Sequence, residues 1–450
     1  MPKRNPSLSR RAVRGSTTAL SLMVAAMIVP GASRATDPPP QVAIDSPGAT
    51  AYSSNDWLHQ PGMTGDWGGV RTDLMRKGID IFSNYTVQSA DIVNGGAKEG
   101  TKTNNQIILG ANFDMAKLAS IPNSTFTFAV SDRYGGNAST LAGVRVTINS
   151  NYGEGENFRL ANMSFKQSLD QGRFSYQLGY FPAAAEFDYT PILCSLLNQG
   201  FCGHPNSLGA DSSGFQNPPG AQLGARATFF VVPQVYVKAA VFDVNPTRFT
   251  DPDQGFRLDK HGSTGTIYLT EVGWNASLGP QHLVGHYKVG GYYDTSDAPD
   301  VVNPRIQHEG RTSAWLAVDQ MVYGIGPDAS RGLVLFANLT ESNRSSSQIQ
   351  SYDSLGFVFL GPLASRPDDV LSLGWAKSAL NHRKLDAQIA SRPSFDFNGA
   401  EKYIDLSYKF QLTPWMFFTP DVQYLIHPGA FAATRYPNAT VLSGSIQFKF

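Results

Sequence analysis

Beyond its N-terminal segment, the sequence contains no uninterrupted apolar run close to the roughly 20 residues that a membrane-spanning helix requires. If the chain crosses a membrane, it must therefore do so with strands. Charged residues are also scarce, at 16 % of 450 residues. By contrast, 43 glycines and 11 % aromatic residues favour one large β architecture over several soluble domains.

Enzyme motifs are missing as well. The sequence has no Gly-x-Ser-x-Gly nucleophile elbow, no His-Glu-x-x-His zinc helix and no phosphate-binding glycine loop, and its eight histidines are scattered. The acidic pairs Glu186/Asp188 and Asp368/Asp369 have the residue types of glycosidase carboxylates, but neighbouring acids are common in any sequence. We therefore expect no enzyme, no cofactor and no metal site.

Cysteine is nearly absent. Cys194 and Cys202 are the only two, and both lie in the part of the chain that we expect to be exported, where thiols tend to be oxidised. We predict that they form a disulfide within a long loop, with two free thiols as the alternative. Two cysteines with only His204 nearby make a poor zinc site, because a closed site needs four ligands.

The N-terminal residues 1–35 have the pattern of a secretory signal peptide, cleaved after Ala35. Basic residues precede an apolar stretch from about Thr18 to Val29, and small residues follow it. Removing this segment takes away six basic and no acidic residues, which leaves 30 Lys+Arg against 36 Asp+Glu and a net charge of −6. This balance gives no indication of a nucleic-acid partner. Residues 36–64, rich in Pro, Ser and Ala, should form a flexible leader.

Residues 65–77 predict a short amphipathic helix. Val70, Leu74 and Lys77 fall on one side, Asp66 can cap the N-terminus, and Gly78 can end the helix. We expect this helix to brace the periplasmic end of the structure that follows.

From residue 78 to residue 450 the sequence alternates in polarity over short stretches separated by Gly, Pro, Asn and Asp clusters. Two stretches, 156–167 and 331–340, are ambiguous in phase. The sixteen predicted strands lie near residues 78–92, 104–118, 124–131, 156–167, 172–180, 222–231, 234–243, 264–275, 284–293, 310–323, 331–340, 351–361, 370–379, 400–410, 415–427 and 438–450.

The connections after even-numbered strands are short, whereas most of those after odd-numbered strands are long. This alternation, with an even number of strands, is typical of an up-and-down transmembrane barrel with periplasmic turns and external loops. In the last stretch Leu442 and Ile446 share one face, Ser443 and Gln447 share the other, and the stretch ends on an aromatic residue. A soluble sandwich strand can alternate in the same way, but this ending is typical of the closing strand of an outer-membrane barrel.

Aromatic residues gather near the predicted strand ends, where a membrane barrel would have its interfacial belts. They are Tyr180, Phe181, Phe229, Phe230, Tyr292, Tyr293, Trp415, Phe417, Phe418 and Tyr436.

The alternation also predicts which side chains face the lumen. With Phe126 and Phe128 outside, Arg133 points inward, and with Phe229 outside, Arg226 points inward. The connection 181–221 is long enough to fold inward and narrow the pore, and Glu186 and Asp188 at its start are the expected acidic partners of the arginines. The same test places further residues in the lumen: Lys238, Glu271, Lys288, Asp319, Asp405, Asp421 and Gln423.

Five stretches resemble a known family: GDWGGVRTDLMRKGIDIFSNYT at Gly65–Thr86, GYFPAAAEFDYT at Gly179–Thr190, NPPGAQLGAR at Asn217–Arg226, VFDVNP at Val241–Pro246 and QLTPWMFFTPDVQYLIHPG at Gln411–Gly429. The family is that of the OprB-type carbohydrate-selective porins. The resemblance spans nearly the whole mature chain, although the stretch from Cys194 to Gly203 departs from the family pattern. It implies a sixteen-stranded outer-membrane channel that passes monosaccharides, above all glucose-like sugars.

We therefore expect an all-β protein whose residues 78–450 form a sixteen-stranded antiparallel transmembrane barrel in the outer membrane of a Gram-negative cell. It should conduct monosaccharides passively through a charged constriction and contact outer-membrane lipid. A porin for other small polar or hydroxylated organic acids, or a weakly selective porin, is the alternative. A barrel for adhesion or envelope structure is the contrasting class. Both a monomer and a homotrimer fit the pattern.

Overall fold

The computed structural model describes residues 56–152, 155–202, 206–250, 255–327 and 329–450. The predicted signal peptide 1–35 and most of the predicted leader 36–64 lie outside these residues.

No helix in the described part of the chain is long and apolar enough to cross a membrane.

Sixteen antiparallel strands form a closed barrel in which each strand pairs with the next along the chain and the last pairs with the first. The predicted fold class is therefore confirmed. A two-residue ribbon, Ala298–Pro299 with Gln307–His308, lies outside the barrel sheet. The barrel strands are β1 Ile79–Asn94, β2 Gly100–Asp114, β3 Ser124–Gly135, β4 Asn157–Leu169, β5 Phe174–Phe181, β6 Gln222–Val232, β7 Val235–Val244, β8 Gly265–Leu278, β9 Leu283–Asp294, β10 Arg311–Ile325, β11 Arg331–Glu341, β12 Ile349–Leu360, β13 Val370–Leu380, β14 Ala400–Thr413, β15 Met416–Ile426 and β16 Ala439–Lys449.

The connections alternate in length as predicted. One end of the barrel carries tight links such as 170–173, 233–234 and 414–415, and the other end carries loops such as 136–156 and 182–221. The helices are α1 Val70–Arg76, α2 Met115–Ala119, α3 Ser139–Ala142, α4 Asn206–Asp211, α5 Thr247–Thr250 and α6 His382–Ser391. Single 3₁₀ turns occur at Trp57–His59, Trp67–Gly69, Ser150–Tyr152, Asp170–Gly172, Ala183–Ala185, Pro191–Ser195 and Ala430–Ala432.

The alternation along each strand separates an apolar outer face from a polar inner face. In β16, Leu442 exposes 50 % of its surface to the outside, whereas its neighbour Val441 is completely buried. On the inner face of other strands, Arg226, Glu271 and Lys288 are buried inside the barrel. Charged side chains collect inside because they cannot face lipid.

Strand β4 is ambiguous in sequence because it contains a bulge. Ala129 of β3 pairs with Asn162, while the next residue, Val130, pairs with Leu160, so Ala161 is an extra residue in the ladder. A bulge shifts the phase of a strand by one residue. Odd-numbered residues before Ala161 therefore share the inner face with even-numbered residues after it.

Strand β11 is ambiguous for a different reason. Its burial alternates regularly, with Val334 and Phe336 inside and Leu335 and Leu339 outside. Both faces are apolar, because the inner one packs against a loop inside the barrel: Phe336 contacts Phe201, with ring centroids 6.2 Å apart. The sequence of β11 therefore shows no consistent alternation between polar and apolar residues, although the strand itself is regular.

Some of the predicted belt aromatics do not lie in a belt. Phe181 and Tyr292 are buried in an aromatic cluster inside the barrel. Tyr180 faces outward but is covered by the 245–264 loop, whose Leu258 carbonyl accepts a hydrogen bond from the Tyr180 hydroxyl. Phe229 and Tyr293 remain exposed on the outer surface.

The last part of the predicted leader packs against the barrel. The Trp57 ring lies 4.5 Å from that of Trp415, and the Met63 amide donates to the Lys449 carbonyl at 2.8 Å. In α1, the buried Arg71 donates to the carbonyls of Ile81 at 2.8 Å and Phe450 at 2.9 Å. The N-terminal elements therefore bind both strands of the β1–β16 seam.

Candidate functional site

The loop 182–221 folds into the barrel and contacts its wall on opposite sides. The Asn198 amide donates to Asp405 Oδ2 in β14 at 2.9 Å. On the far side, the Asp188 amide donates to Glu271 Oε2 in β8 at 2.8 Å. The loop therefore crosses the lumen.

One stretch of this loop, residues 193–201, packs into an apolar cluster that we call the core side. Leu193, Leu196 and Phe201 pack there with wall residues that include Phe336 and Tyr352. A disulfide between Cys194 and Cys202 closes the chain around this stretch. Burial of these apolar side chains helps to hold the loop at this wall.

A second inward loop, 136–156, reinforces the core side. The Ser150 amide donates to the Leu197 carbonyl and the Gln199 amide donates to the Thr147 carbonyl, both at 2.9 Å. Gln423 of β15 donates to the Ile148 carbonyl at 3.2 Å. The two loops therefore share backbone hydrogen bonds and pack together against one wall.

The other stretch, residues 186–190, meets charged side chains and is called the charged side. Arg226 Nη2 lies 3.0 Å from Glu186 Oε2, and both side chains are buried. The ammonium groups of Lys238 and Lys288 donate to the carbonyls of Glu186 and Tyr189, respectively. Lys238 and Lys288 thus bind the backbone of the loop, and Arg226 binds the Glu186 side chain.

Glu271 is the central acceptor of the charged side. Its carboxylate accepts hydrogen bonds from the Tyr236 hydroxyl at 2.8 Å, Trp315 Nε1 at 3.0 Å and the Asp188 amide at 2.8 Å. Lys238 Nζ lies 3.5 Å from the same group. A carboxylate with this many donors is fixed in position.

Asp188 differs from its expected role. Its carboxyl accepts a hydrogen bond from Asn338 Nδ2 at 2.9 Å, and within the described residues it has no ion pair with an arginine. Burial, together with nearby Glu271, holds the pKa of the Asp188 carboxyl well above its usual range. Of the two acids at the start of the loop, only Glu186 pairs with an arginine.

Two predicted lumen residues lie apart from the 186–190 stretch. Arg133 donates to Gln106 Oε1 at 3.0 Å and to the Pro218 carbonyl at 3.3 Å, near the end of the loop. Asp319 lies 2.6 Å from Nδ1 of His286. Both are buried, as luminal residues should be.

Asp405, Asp421 and Gln423 line the wall opposite the charged side. Asp405 accepts from the Asn198 amide, and Gln423 Oε1 accepts from the Asn198 side chain at 3.0 Å. The Ser407 hydroxyl contacts Asp421 at 2.6 Å. Asp405 and Gln423 thus bind the core side of the loop, and the structure does not bring any of the three together with Arg226 or Lys238.

Sequence reasoning missed Lys166, Tyr236 and Trp315. Lys166 lies on the inner face of β4, where it interacts electrostatically with Glu186, Arg226 and Lys238. Its position follows from the even-numbered phase after the Ala161 bulge. Assigning alternate residues of β4 to the inner face backward from the tight 170–173 connection, instead of forward from residue 156, would have placed Lys166 in the lumen.

Comparison with known proteins identifies the family. Residues 98–450 match the model of the family described as carbohydrate-selective porin, OprB family. The chain belongs to the OprB family. Family membership and the closed barrel indicate an outer-membrane channel with carbohydrate solutes rather than an enzyme.

Relatives of this OprB-family porin match over most of its length. Porin B of Pseudomonas aeruginosa is 30 % identical over 435 residues, which cover 89 % of this chain and 93 % of the relative. Putative porin QuiX of Acinetobacter baylyi is 28 % identical over 409 residues, covering 85 % and 92 %. The high-pH structure of Pseudomonas putida OprB superposes with a TM-score of 0.81 at 28 % identity, covering 89 % of this chain and 100 % of that chain.

Proposed function

We propose that this porin lets monosaccharides, glucose-like sugars above all, diffuse passively across the outer membrane through a water-filled lumen narrowed at the charged side of the 182–221 loop. The observation that carries the proposal is the convergence of Arg226, Lys238 and Glu271 on the stretch Glu186–Thr190. These contacts hold the inward-folded loop across the lumen and create the narrow, charged throat that sugar selection needs.

Aromatic side chains pack around the charged side and hold its groups in place. Phe187 and Tyr236 lie near the Lys238 ammonium, with ring centroids 5.2 and 5.3 Å from Nζ. Trp315 packs against Phe187 at 6.4 Å. These rings are almost completely buried, so they support the charged groups, and the hydroxyls of a pyranose are the part of the solute that the throat would contact. Binding must stay weak for the solute to leave.

A second candidate is a porin for small hydroxylated organic acids. Four cations, Lys166, Arg226, Lys238 and Lys288, surround the charged side. They face the two carboxylates Glu186 and Glu271. This excess of positive charge favours solutes that carry a carboxylate. A weakly selective porin would use the same lumen without discrimination.

Liposome swelling with the refolded mature protein tests the proposal. Glucose, a disaccharide and a hydroxylated acid of similar size to glucose would be compared at equal osmolarity. We expect fast glucose entry and slower disaccharide entry. Preferential entry of the acid would favour the second candidate, and equal rates for all three would mean a weakly selective porin. A properly folded barrel that gives no swelling would contradict transport altogether.

We also propose that residues 1–35 are a signal peptide that directs export to the outer membrane of a Gram-negative cell. Cleavage after Ala35 would make Thr36 the first residue of the mature chain. The barrel of the mature protein would contact lipid either as a monomer or as a homotrimer. Crosslinking in detergent would distinguish these two states.

A further inference from the structure

The cationic side chains of the lumen differ in how many of their hydrogen-bond donors already have partners in the protein. Arg226 bonds to Glu186 at 3.0 Å, to the Ser175 hydroxyl at 2.9 Å and to Gln177 Oε1 at 3.2 Å. Each of these contacts occupies an N–H of the guanidinium fork. Arg226 therefore serves chiefly to hold the loop against the wall.

The two lysines of β7 and β9 are engaged in the same way. Lys238 donates to the Glu186 carbonyl and lies 3.5 Å from Glu271. Lys288 donates to the Tyr189 carbonyl and to Thr190 Oγ1 at 3.2 Å. Moving either ammonium toward a solute would break a bond to the loop, so both cations are poor candidates for transient contacts.

Lys166 is different. Across the residues that the structure describes, its ammonium makes no hydrogen bond and no ion pair, although it interacts electrostatically with Glu186, Arg226 and Lys238. The register places it on the inner face: Lys166 pairs with Gln177, and Gln177 pairs with Arg226. It is half-buried beside the charged side. The lumen thus contains a cation at the charged side whose three N–H donors remain available.

We propose that Lys166 is the specificity-determining cation of the channel, and that its ammonium binds the carboxylate of hydroxylated monocarboxylic acids, which the channel passes beside neutral sugars. This inference rests on the proposed function, because it assumes that solutes pass the charged side. A lysine is suited to this role, since its flexible stem carries a compact charge that can follow a moving solute.

The arrangement also accounts for release. Arg226, Lys238 and Lys288 are bound to the loop, so a carboxylate at Lys166 meets one mobile cation and not a cluster of four. One charge-assisted hydrogen bond strengthens binding without trapping the solute. The neighbouring fixed cations raise the local anion concentration, which speeds entry.

Block of the ion current through single channels in planar bilayers tests this proposal. Gluconate and glucose would be added to wild-type protein, to Lys166→Gln and to Lys166→Arg. We expect Lys166→Gln to weaken gluconate block about tenfold, as loss of one charge-assisted bond predicts, and to change glucose block by less than about threefold. Lys166→Arg should restore most of the gluconate block because it keeps the positive charge.

Lys409→Gln is the matched control. Lys409 lies on the inner face of β14 and over the ring of Phe417, 4.6 Å from its centroid, outside the charged side. Its replacement removes the same charge elsewhere in the lumen and should alter gluconate block by less than about twofold. Heat-modifiable mobility on gels confirms that each variant is folded.

Unchanged gluconate block in folded Lys166→Gln would overturn the proposal, as would an equal loss in Lys409→Gln. Loss of gluconate and glucose block by the same factor would also overturn it, because Lys166 would then not discriminate. Failure of the proposed function looks different: wild-type channels would then show no glucose entry in liposomes, whatever Lys166→Gln does to gluconate.

Discussion

The core side and the charged side of the 182–221 loop hold the same loop by opposite chemistry. At the core side, residues 193–201 bury Leu193, Leu196 and Phe201 among apolar residues. At the charged side, residues 186–190 meet Arg226 and Lys238. Apolar burial contributes about 1.5–3 kcal/mol for each large side chain, whereas a buried ion pair contributes little net stability because desolvation offsets the attraction. We therefore expect stability to depend mainly on the core side, and we propose that solute choice depends on the charged side.

The largest expected effect comes from breaking the core side with Phe201→Ala. Phe201 is almost completely buried and packs edge-on against Phe336. Removing a buried phenyl ring should lower the free energy of unfolding by about 3–5 kcal/mol. Because the loop then loses its apolar anchor, single-channel conductance should rise. Urea unfolding and bilayer recordings measure the two effects.

Phe256→Ala is the control for that experiment. Phe256 exposes 43 % of its surface and packs on Phe158 outside the lumen. Its replacement should leave conductance unchanged and cost much less stability. Equal losses in the two variants would contradict the idea that the core side anchors the loop.

An intermediate effect is expected from Glu271→Gln at the charged side. The variant keeps the shape of the side chain but removes the negative charge beside Lys238 and places an amide among donors. We expect a loss of about 2 kcal/mol in the free energy of unfolding and a clear shift of ion selectivity toward anions. The zero-current potential in a salt gradient measures this shift.

Glu341→Gln provides the comparison for Glu271→Gln. Glu341 is exposed at the end of β11 and lies 3.1 Å from Arg344. An exposed ion pair contributes little to stability or to the field in the lumen. If both variants moved the zero-current potential equally, the charged side would not control selectivity.

The smallest expected effect on conduction concerns Asp211 of α4, which is anchored to the wall by polar contacts within an otherwise apolar cluster. Its carboxyl accepts from the Tyr292 hydroxyl at 3.0 Å and from Ser313 at 3.1 Å. Burial raises the pKa of Asp211 from 3.8 to about 6, against the opposing effect of Arg311. The folded state therefore binds this proton more tightly than the unfolded chain does.

Ionisation of Asp211 therefore lowers the stability of the folded state. Asp211 contributes stability that is fully present below about pH 4 and is lost as the pH rises through about 6, with a slope of at most about 1.4 kcal/mol per pH unit. Asp211→Asn keeps a neutral side chain and should remove this slope. Urea midpoints of both proteins from pH 4 to pH 8 measure it, and parallel curves would refute the assignment.

Most of the fold followed from period-two polarity, because one face of each strand meets lipid and the other meets water or charge. The prediction of strand phase was less clear where the inner face of a strand packs against another part of the protein. In β11, Val334 and Phe336 face inward onto a packed loop, which removes the polarity contrast. In β4, the extra residue Ala161 reversed the phase. Neither feature leaves a signal in local composition.

The candidate site was harder to predict than the wall. Strand parity placed Arg226, Lys238, Glu271 and Lys288 in the lumen, and the structure brings them to one loop stretch. Strand parity alone did not identify their partners, because these come from a loop whose path depends on apolar contacts with distant strands. The expected pairing of Glu186 and Asp188 with arginines was right for Glu186, which pairs with Arg226. Among the described residues, Asp188 has Asn338 as its partner and pairs with no arginine. Lys166 was missed because the bulge at Ala161 reverses the phase of β4.

The Arg71 contact with the β1–β16 seam has a consequence for the order of folding. Arg71 and Phe450 are separated by 379 positions in the chain, yet one guanidinium group joins them and Ile81. Contacts between residues so distant in sequence carry a large loop-closure entropy and form late, after local hairpins are in place. We expect the seam to be the last part of the barrel wall to close, with the N-terminal helix completing it.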